Sequence, residues 1–349
     1  MSADTAAEVA ALARAVFAGA ATDPALDARS GGALDANLWQ VLDGAGLARL
    51  TMPERLGGSG GQLTDAAALL IAAGAAVPLL ETDLLAGWLA GEAGLSVPDG
   101  PLSAVLADVE ISRNPFGTNV SGVVPRAGWA RHATALVLLT GGGDVVVLDA
   151  AQLQVEPGSN LAEEPRDRVS LSGARAAAVA SVDPALREQF RLRAALGRAL
   201  LTSGAAETAL GMTVRHATER VQFGRPIAKL QAVQQEIAVA AAESAACRAA
   251  TDAAVLVVGR HGWDSRDATV AVAAAKARTA EAAGVVARIA HQVHGAIGFT
   301  REHRLRLATT RLWAWREEDG SDAVWNEVLG SLALDRGPAD LFALITGTG

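Results

Sequence analysis

Apolar positions along the chain fall into three zones of different period. Up to about residue 100 they recur at helical spacing between Gly and Pro breaks. Residues 34–47 and 64–76 carry that pattern, with Thr64 and Asp65 as an N-cap pair. From about 101 to 183 the period shortens. Residues 104–109, 135–139, 145–148 and 169–171 are short aliphatic runs between Gly, Asp, Asn and Pro, which predicts strands, and Gly141-Gly142-Gly143-Asp144 reads as a hairpin turn. From 184 onward, residues 192–218, 227–258 and 268–293 are long alanine-rich helical stretches, followed by a shorter fourth near the C-terminus. Short separators between them predict a four-helix bundle. The expected fold is mostly α with a small middle β domain, divided 1–100, 101–183 and 184–349.

Length and charge narrow the picture. At 349 residues the chain exceeds what one core organises, roughly 250–300. A net charge of -8 and the lack of any strongly basic stretch argue against nucleic acid. One cysteine, Cys247, leaves no intrachain disulfide or CxxC chemistry and fits a reducing, cytoplasmic setting. Mean hydropathy is +0.25, yet the longest apolar run, 66–80, contains Gly74 and Pro78 and stops at Glu81. It is shorter than the roughly 20 residues that span a bilayer. Asp4, Glu8 and Arg14 do not suit a signal peptide, so no membrane association is expected. The hydropathy comes largely from alanine, the residue of closely packed helices.

Several motif-like features read as structure. Gly57-Gly58-Ser59-Gly60-Gly61 lacks the Gly-Lys-Ser/Thr ending of a phosphate loop and follows no predicted strand, so it reads as a turn ahead of a helix. His291 and His294 lie one helical turn apart, but no third ligand stands at metal spacing, and no metal is expected. Cys247 falls mid-helix, where a buried inert thiol is usual. Trp313, Trp315 and Trp325 read as core.

Two segments are more specific. Arg220-Val221-Gln222-Phe223-Gly224-Arg225-Pro226-Ile227 is followed by Leu230-Gln231, and Gln292-Val293-His294-Gly295-Ala296-Ile297-Gly298-Phe299-Thr300 comes later in the same helical half. Together they resemble the acyl-CoA dehydrogenase family, whose C-terminal domain carries R-x-x-F-G-x-x-I and Q-x-x-G-G-x-G-F segments. Met52-Pro53-Glu54-Arg55-Leu56-Gly57-Gly58 resembles that family's N-terminal P-E-x-x-G-G. The resemblance implies an FAD site shared between subunits: Arg220 at the pyrophosphate, Gln222, Phe223 and Gln231 beside the adenosine end, and Gln292, Gly295 and Ala296 facing the dinucleotide from the opposite protomer. A planar, permanently charged guanidinium suits a pyrophosphate. It also implies an acyl-CoA substrate and an electron-transfer flavoprotein or similar acceptor.

The family's base is a carboxylate, in many members a Glu-Gly pair about 20 residues after the G-F turn. The matching position is Asp319-Gly320, with Glu318 as the alternative, and Ser321 follows where the family has a flavin-contacting Thr. Aspartate is one methylene shorter. An acidic loop ahead of a helix capped by Ser321 is the competing reading, and the two stand level. Members that place the base on the first long helix have no counterpart here, where Ala194 stands. The family's T-E-P-x-x-G-S-D loop is also missing, and Trp129 is either the flavin-flanking tryptophan or core. A chain that keeps adenosine-side motifs and loses ring-side ones resembles one half of an α2β2 acyl-CoA dehydrogenase acting on a bulky steroid-derived CoA ester. The alternatives are a self-sufficient homotetramer, or a non-catalytic partner that completes the FAD site.

Overall fold

A computed structural model describes residues 3–20, 32–73 and 77–337. The chain forms two compact units, Met1–Ala194 and Ala195–Gly349. The first opens with α1 (Ala3–Ala20), α2 (Ala36–Gly44) and α3 (Leu63–Ala72). Asp35 caps α2, its Oδ1 accepting from the backbone N–H groups of Asn37 and Leu38 at 3.0 Å. The cap of α3 differs from expectation. Gln62, not Thr64, is the N-cap, and Asp65 reaches back to accept from Gln62 N at 2.8 Å. The expected helix 64–76 ends at Ala72, and residues 74–76 lie outside the described ones.

A π-helical segment, Leu80–Gly87, leads into α4 (Trp88–Glu92). It buries three consecutive polar residues, Glu81, Thr82 and Asp83. Thr82 Oγ1 accepts from Leu102 N at 3.0 Å, and Asp83 accepts from Thr51 N, Thr51 Oγ1 and Met52 N. Burial pushes the Asp83 carboxyl up to about 7, against the lowering effect of those hydrogen bonds. The segment therefore anchors the Met52–Gly58 turn. A Cβ on Gly58 would lie 2.1 Å from Met52 O, so this glycine-rich stretch is a packed turn ahead of α3.

The sheet comprises β1 (Leu102–Ala107), β2 (Glu110–Asn114), β3 (Gly117–Gly128), β4 (Ala135–Thr140), β5 (Asp144–Asp149), β6 (Gln154–Glu156) and β7 (Arg166–Ser181). Its order is β1-β4-β5-β7-β3-β2, with β6 also on β7. β1 and β4 run parallel; β4 and β5 form the expected hairpin, with Gly143 at φ +81° in its turn. Inward side chains of β3, β4, β5 and β7, among them Val120, Leu136, Leu138, Val146, Leu148 and Val169, make one core. Three strands, β2, β3 and the three-residue β6, fall outside the runs expected from the sequence. β2 is mostly exposed, and β3 is interrupted by a register shift between Val124 and Ala127, which is where Pro125 is tolerated. Trp129 follows β3 at φ +60°, is 2% exposed and belongs to the core.

α5 (Leu186–Glu219) begins in the first unit and supplies the first helix of the second. A two-residue hairpin, β8 (Val221–Gln222) with β9 (Arg225–Pro226), turns into α6 (Gln231–His261) and then α7 (Arg266–His294). α8 (Leu305–Trp315) and α9 (Asp322–Arg336) complete the unit. With α8 and α9 both present, this half has five helices among the described residues, one more than the four expected. α7 buries Ala268, Val272, Ala275, Thr279, Ala282, Val286 and Ile289 along one face, at three- and four-residue spacing. Thr251 and Thr279 tolerate burial because their hydroxyls donate to the carbonyls of Cys247 and Ala275. Among the described residues no helix is long and apolar enough to cross a membrane.

Candidate functional site

The two specific sequence segments occupy the hairpin after α5 and the turn after α7. Phe223 and Gly224 form the hairpin tip at φ +52° and +74°. Arg220, Gln222 and Gln231 are exposed, and the Phe223 ring is 88% exposed. Among the described residues Arg220 makes no ion pair, not even with the adjacent Glu219. On the second segment α7 ends at His294, and Gly295 takes φ +64° with no atom within 4 Å of a would-be Cβ. Gln292, Gly295 and Ala296 are exposed. An exposed guanidinium without a carboxylate, amide side chains and an open glycine backbone form a donor set that fits an anionic dinucleotide.

The acidic segment is built differently. Arg198, on α5 with its side chain 6% exposed, donates from Nε to Asp319 Oδ2 at 2.8 Å and places Nη1 3.5 Å from Glu318 Oε2. Lys276 on α7 is 1% exposed and donates from Nζ to Arg316 O at 3.0 Å and Trp315 O at 3.3 Å, the last carbonyls of α8. Burial pushes the Lys276 amine down to about 8, opposed by the charges of Asp319, Glu317 and Glu318. Asp319 itself sits at φ +56° and Gly320 at φ +96°. Trp325 Nε1 donates to Asp319 O at 2.9 Å, and a Cβ on Gly320 would lie 2.4 Å from that nitrogen. Ser321 occupies the N-cap position of α9 but makes no side-chain capping bond. The loop is thus held on three sides, and both candidate carboxylates face one buried arginine.

Sequence reasoning did not find Arg198 or Lys276. A signal was present for Arg198, a lone charge between Ala194 and Ala206 in an apolar helical run, where an unpaired charge would be costly; Lys276 has Arg278 two positions on and gave no such signal. His291 and His294 behave as packing residues, His291 Nε2 hydrogen-bonding Thr309 Oγ1 at 3.0 Å and His294 Nδ1 donating to Ala290 O at 2.7 Å. Among the described residues no group of three or more His, Cys, Asp or Glu is arranged to hold a metal. Cys247 is fully buried, and burial pushes its thiol up to about 12.

Comparisons with known proteins agree with this architecture. The family model described as acyl-CoA dehydrogenase, C-terminal domain, matches residues 190–331. Acyl-CoA dehydrogenase IpdE2 of Mycobacterium tuberculosis is 30% identical over 278 residues, covering 78% of this chain and 79% of its own length. IpdE2 of Mycolicibacterium smegmatis is 29% identical over 279 residues, covering 78% and 80%. Among solved structures, the ChsE4-ChsE5 complex from Mycobacterium tuberculosis matches with a TM-score of 0.85 at 26% identity, over 97% of this chain and 99% of that one. Butyryl-CoA dehydrogenase from Megasphaera elsdenii shares the fold, with a TM-score of 0.84 at 18% identity over 96% of this chain and 99% of that one. With helices before and after the sheet in chain order, paired glycine-bearing turns on the second unit and relatives matched over most of their length, the chain belongs to the acyl-CoA dehydrogenase family.

Proposed function

We propose that this chain is one subunit of a hetero-oligomeric, FAD-dependent acyl-CoA dehydrogenase, in which it completes the cofactor site while a homologous partner takes the substrate's α-proton. The observation that carries this reading is the Arg198–Asp319 pair. A base for α-proton abstraction needs a solitary carboxylate in a dry pocket, where desolvation raises its proton affinity. A guanidinium at hydrogen-bond distance ties Asp319 Oδ2 to α5 and holds the side chain as part of the chain's own packing. Glu318 faces the same arginine and offers no relief.

The other motifs keep their chemistry. Arg220 would bind the pyrophosphate of FAD, Gln222, Phe223 and Gln231 the adenosine end, and Gln292, Gly295 and Ala296 the same dinucleotide in a neighbouring subunit. Ser321 would lie toward the flavin ring. FAD, when bound, supplies the acceptor for the substrate's β-hydride. The similar ChsE4-ChsE5 structure is a complex of two different chains, and a further fold neighbour is described as a steroid ACAD, which supports an α2β2 assembly working on a bulky steroid-derived CoA ester. The three-part plan 1–100, 101–183 and 184–349, a cytoplasmic setting and reoxidation by an electron-transfer flavoprotein complete the proposal.

The second reading, Asp319 as a working base, rests on its backbone. A non-glycine residue at φ +56° is the kind of local strain that gathers at reactive positions. Visible spectroscopy and solution mass separate the two. A colourless chain that becomes yellow only in complex with its partner supports the shared site; a yellow homotetramer overturns it.

A further inference from the structure

The second unit holds a cluster that the reading above leaves unused. The ring of His216, on the last turn of α5, stacks on His294 with centroids 4.4 Å apart and planes 24° apart. The ring of His303 meets His294 edge-on at 4.9 Å and lies 6.5 Å from His216. Each histidine sits next to a piece of the proposed dinucleotide site. The carbonyl of His216 accepts from Arg220 N at 2.9 Å, His294 immediately precedes Gly295, and His303 Nδ1 accepts from Leu305 N at 3.2 Å at the start of α8. The turn packs against the same residue: a Cβ on Gly298 would fall 2.8 Å from His294 Cβ and 3.3 Å from Leu305 Cδ2.

We infer that His216, His294 and His303 are positioning residues, a neutral ring stack that sets the spacing between the Arg220 segment and the Gly295–Phe299 turn, and that acid protonation opens it and releases the bound dinucleotide. The inference rests on the proposed FAD site.

Hydrogen bonding sets which ring nitrogens carry protons in the neutral form. His294 Nδ1 carries its proton toward Ala290 O, and its buried Nε2 has no partner among the described residues. His303 Nδ1 offers a lone pair to Leu305 N–H, so the neutral ring holds its proton on Nε2. A second proton on His294 would place a buried cation between two imidazoles with no carboxylate bonded to it. The groups acting on the stack are His291 on α7, Glu219 at the end of α5 and Arg220 just after it beside His216; only Glu219 and the Ala290 carbonyl favour a positive charge. Burial, followed for His294 by its neighbouring histidines, pushes His294 down to about 4 and lowers His216 as well. Phenylalanine at position 294 would keep a stacking ring and remove the titration.

The test is flavin retention by the assembled complex, read as flavin released into ultrafiltrate from about pH 7.5 down to about pH 4, which spans the window between the ordinary histidine value near 6.5 and the buried ring's value of about 4. Wild type should hold flavin at the upper end and lose it toward the lower. His294→Phe should hold it throughout, and His294→Ala should bind at least about tenfold more weakly at every pH, a change of about 1.4 kcal/mol. A wild-type profile flat with pH, or a His294→Phe profile that follows wild type, overturns the inference. Hydrogen exchange over residues 291–305, corrected for the intrinsic pH dependence, decides the same question without flavin. Faster exchange at low pH in wild type but not in His294→Phe supports the stack; no acid-induced change overturns it. A complex that holds no flavin at any pH would instead overturn the proposed FAD site, and the exchange measurement would still judge the histidines.

Discussion

The hairpin after α5 and the loop after α8 lie on the same helical unit and treat their charges in opposite ways. At the hairpin, Arg220 and Gln222 are exposed and Phe223 stands in solvent at a positive φ. At the loop, Asp319 and Glu318 converge on buried Arg198, while Lys276 closes the carbonyls of Trp315 and Arg316. An arrangement with uncommitted donors is built to meet something outside the chain. An arrangement in which each charge already has a partner is built to keep its own shape. This contrast distinguishes a subunit that contributes to a cofactor site from one that performs proton transfer.

The strongest way to break the loop side is Arg198→Met. Two carboxylates would lose a buried partner, a change that costs about 3–5 kcal/mol in comparable pairs. Chemical denaturation of the variant should show that loss. A cost near zero would mean the pair is open to solvent and Asp319 is not held. The second effect concerns pH. Lys276 titrates near 8 when folded and near its ordinary 10.5 when unfolded. Between those values the unfolded chain binds the extra proton, so this residue makes stability rise with pH across the window. Lys276→Met should remove that contribution, as seen by comparing unfolding midpoints at pH about 7.5 and about 9.5. The hairpin side should respond in the reverse sense. Arg220→Ala touches no internal partner, so its stability should stay within about 0.5 kcal/mol of wild type while the complex loses flavin. Retained flavin would remove Arg220 from the site.

The same contrast explains what was legible in the sequence. Motifs whose side chains face outward are written as contiguous strings, and Arg220 to Ile227 and Gln292 to Thr300 could be read directly. The long helices were equally clear, because alanine at helical spacing over more than 20 residues has no other regular use. The inward-facing partnerships were not legible. Arg198 lies 121 positions from Asp319, Lys276 is 40 from Arg316, and His216 meets His294 only because α5 and α7 bring their ends together. β2 and β3 were missed for a related reason. Their half-exposed pattern and the bulge at Pro125 weaken the alternation that marks a strand, and pairing of β3 with β7 and of β2 with β3 supplies what the local pattern does not.

The smallest effect is expected on turnover, and it bears hardest on the comparison. Asp319→Asn keeps an oxygen that can accept from Arg198 Nε and keeps the side chain's shape, so the loop should remain closed with a modest loss of stability. Asparagine cannot take a proton. If the partner subunit supplies the base, oxidation of a CoA thioester by the assembled complex should proceed at the wild-type rate. General-base catalysis contributes about 100-fold to 10,000-fold, so removal of a working base would be unmistakable against that expectation. A fall of that size with flavin still bound would make Asp319 the proton acceptor. Arg198 would then be the residue that must release it before each turnover, and the loop would belong with the hairpin as a surface built to meet something outside the chain.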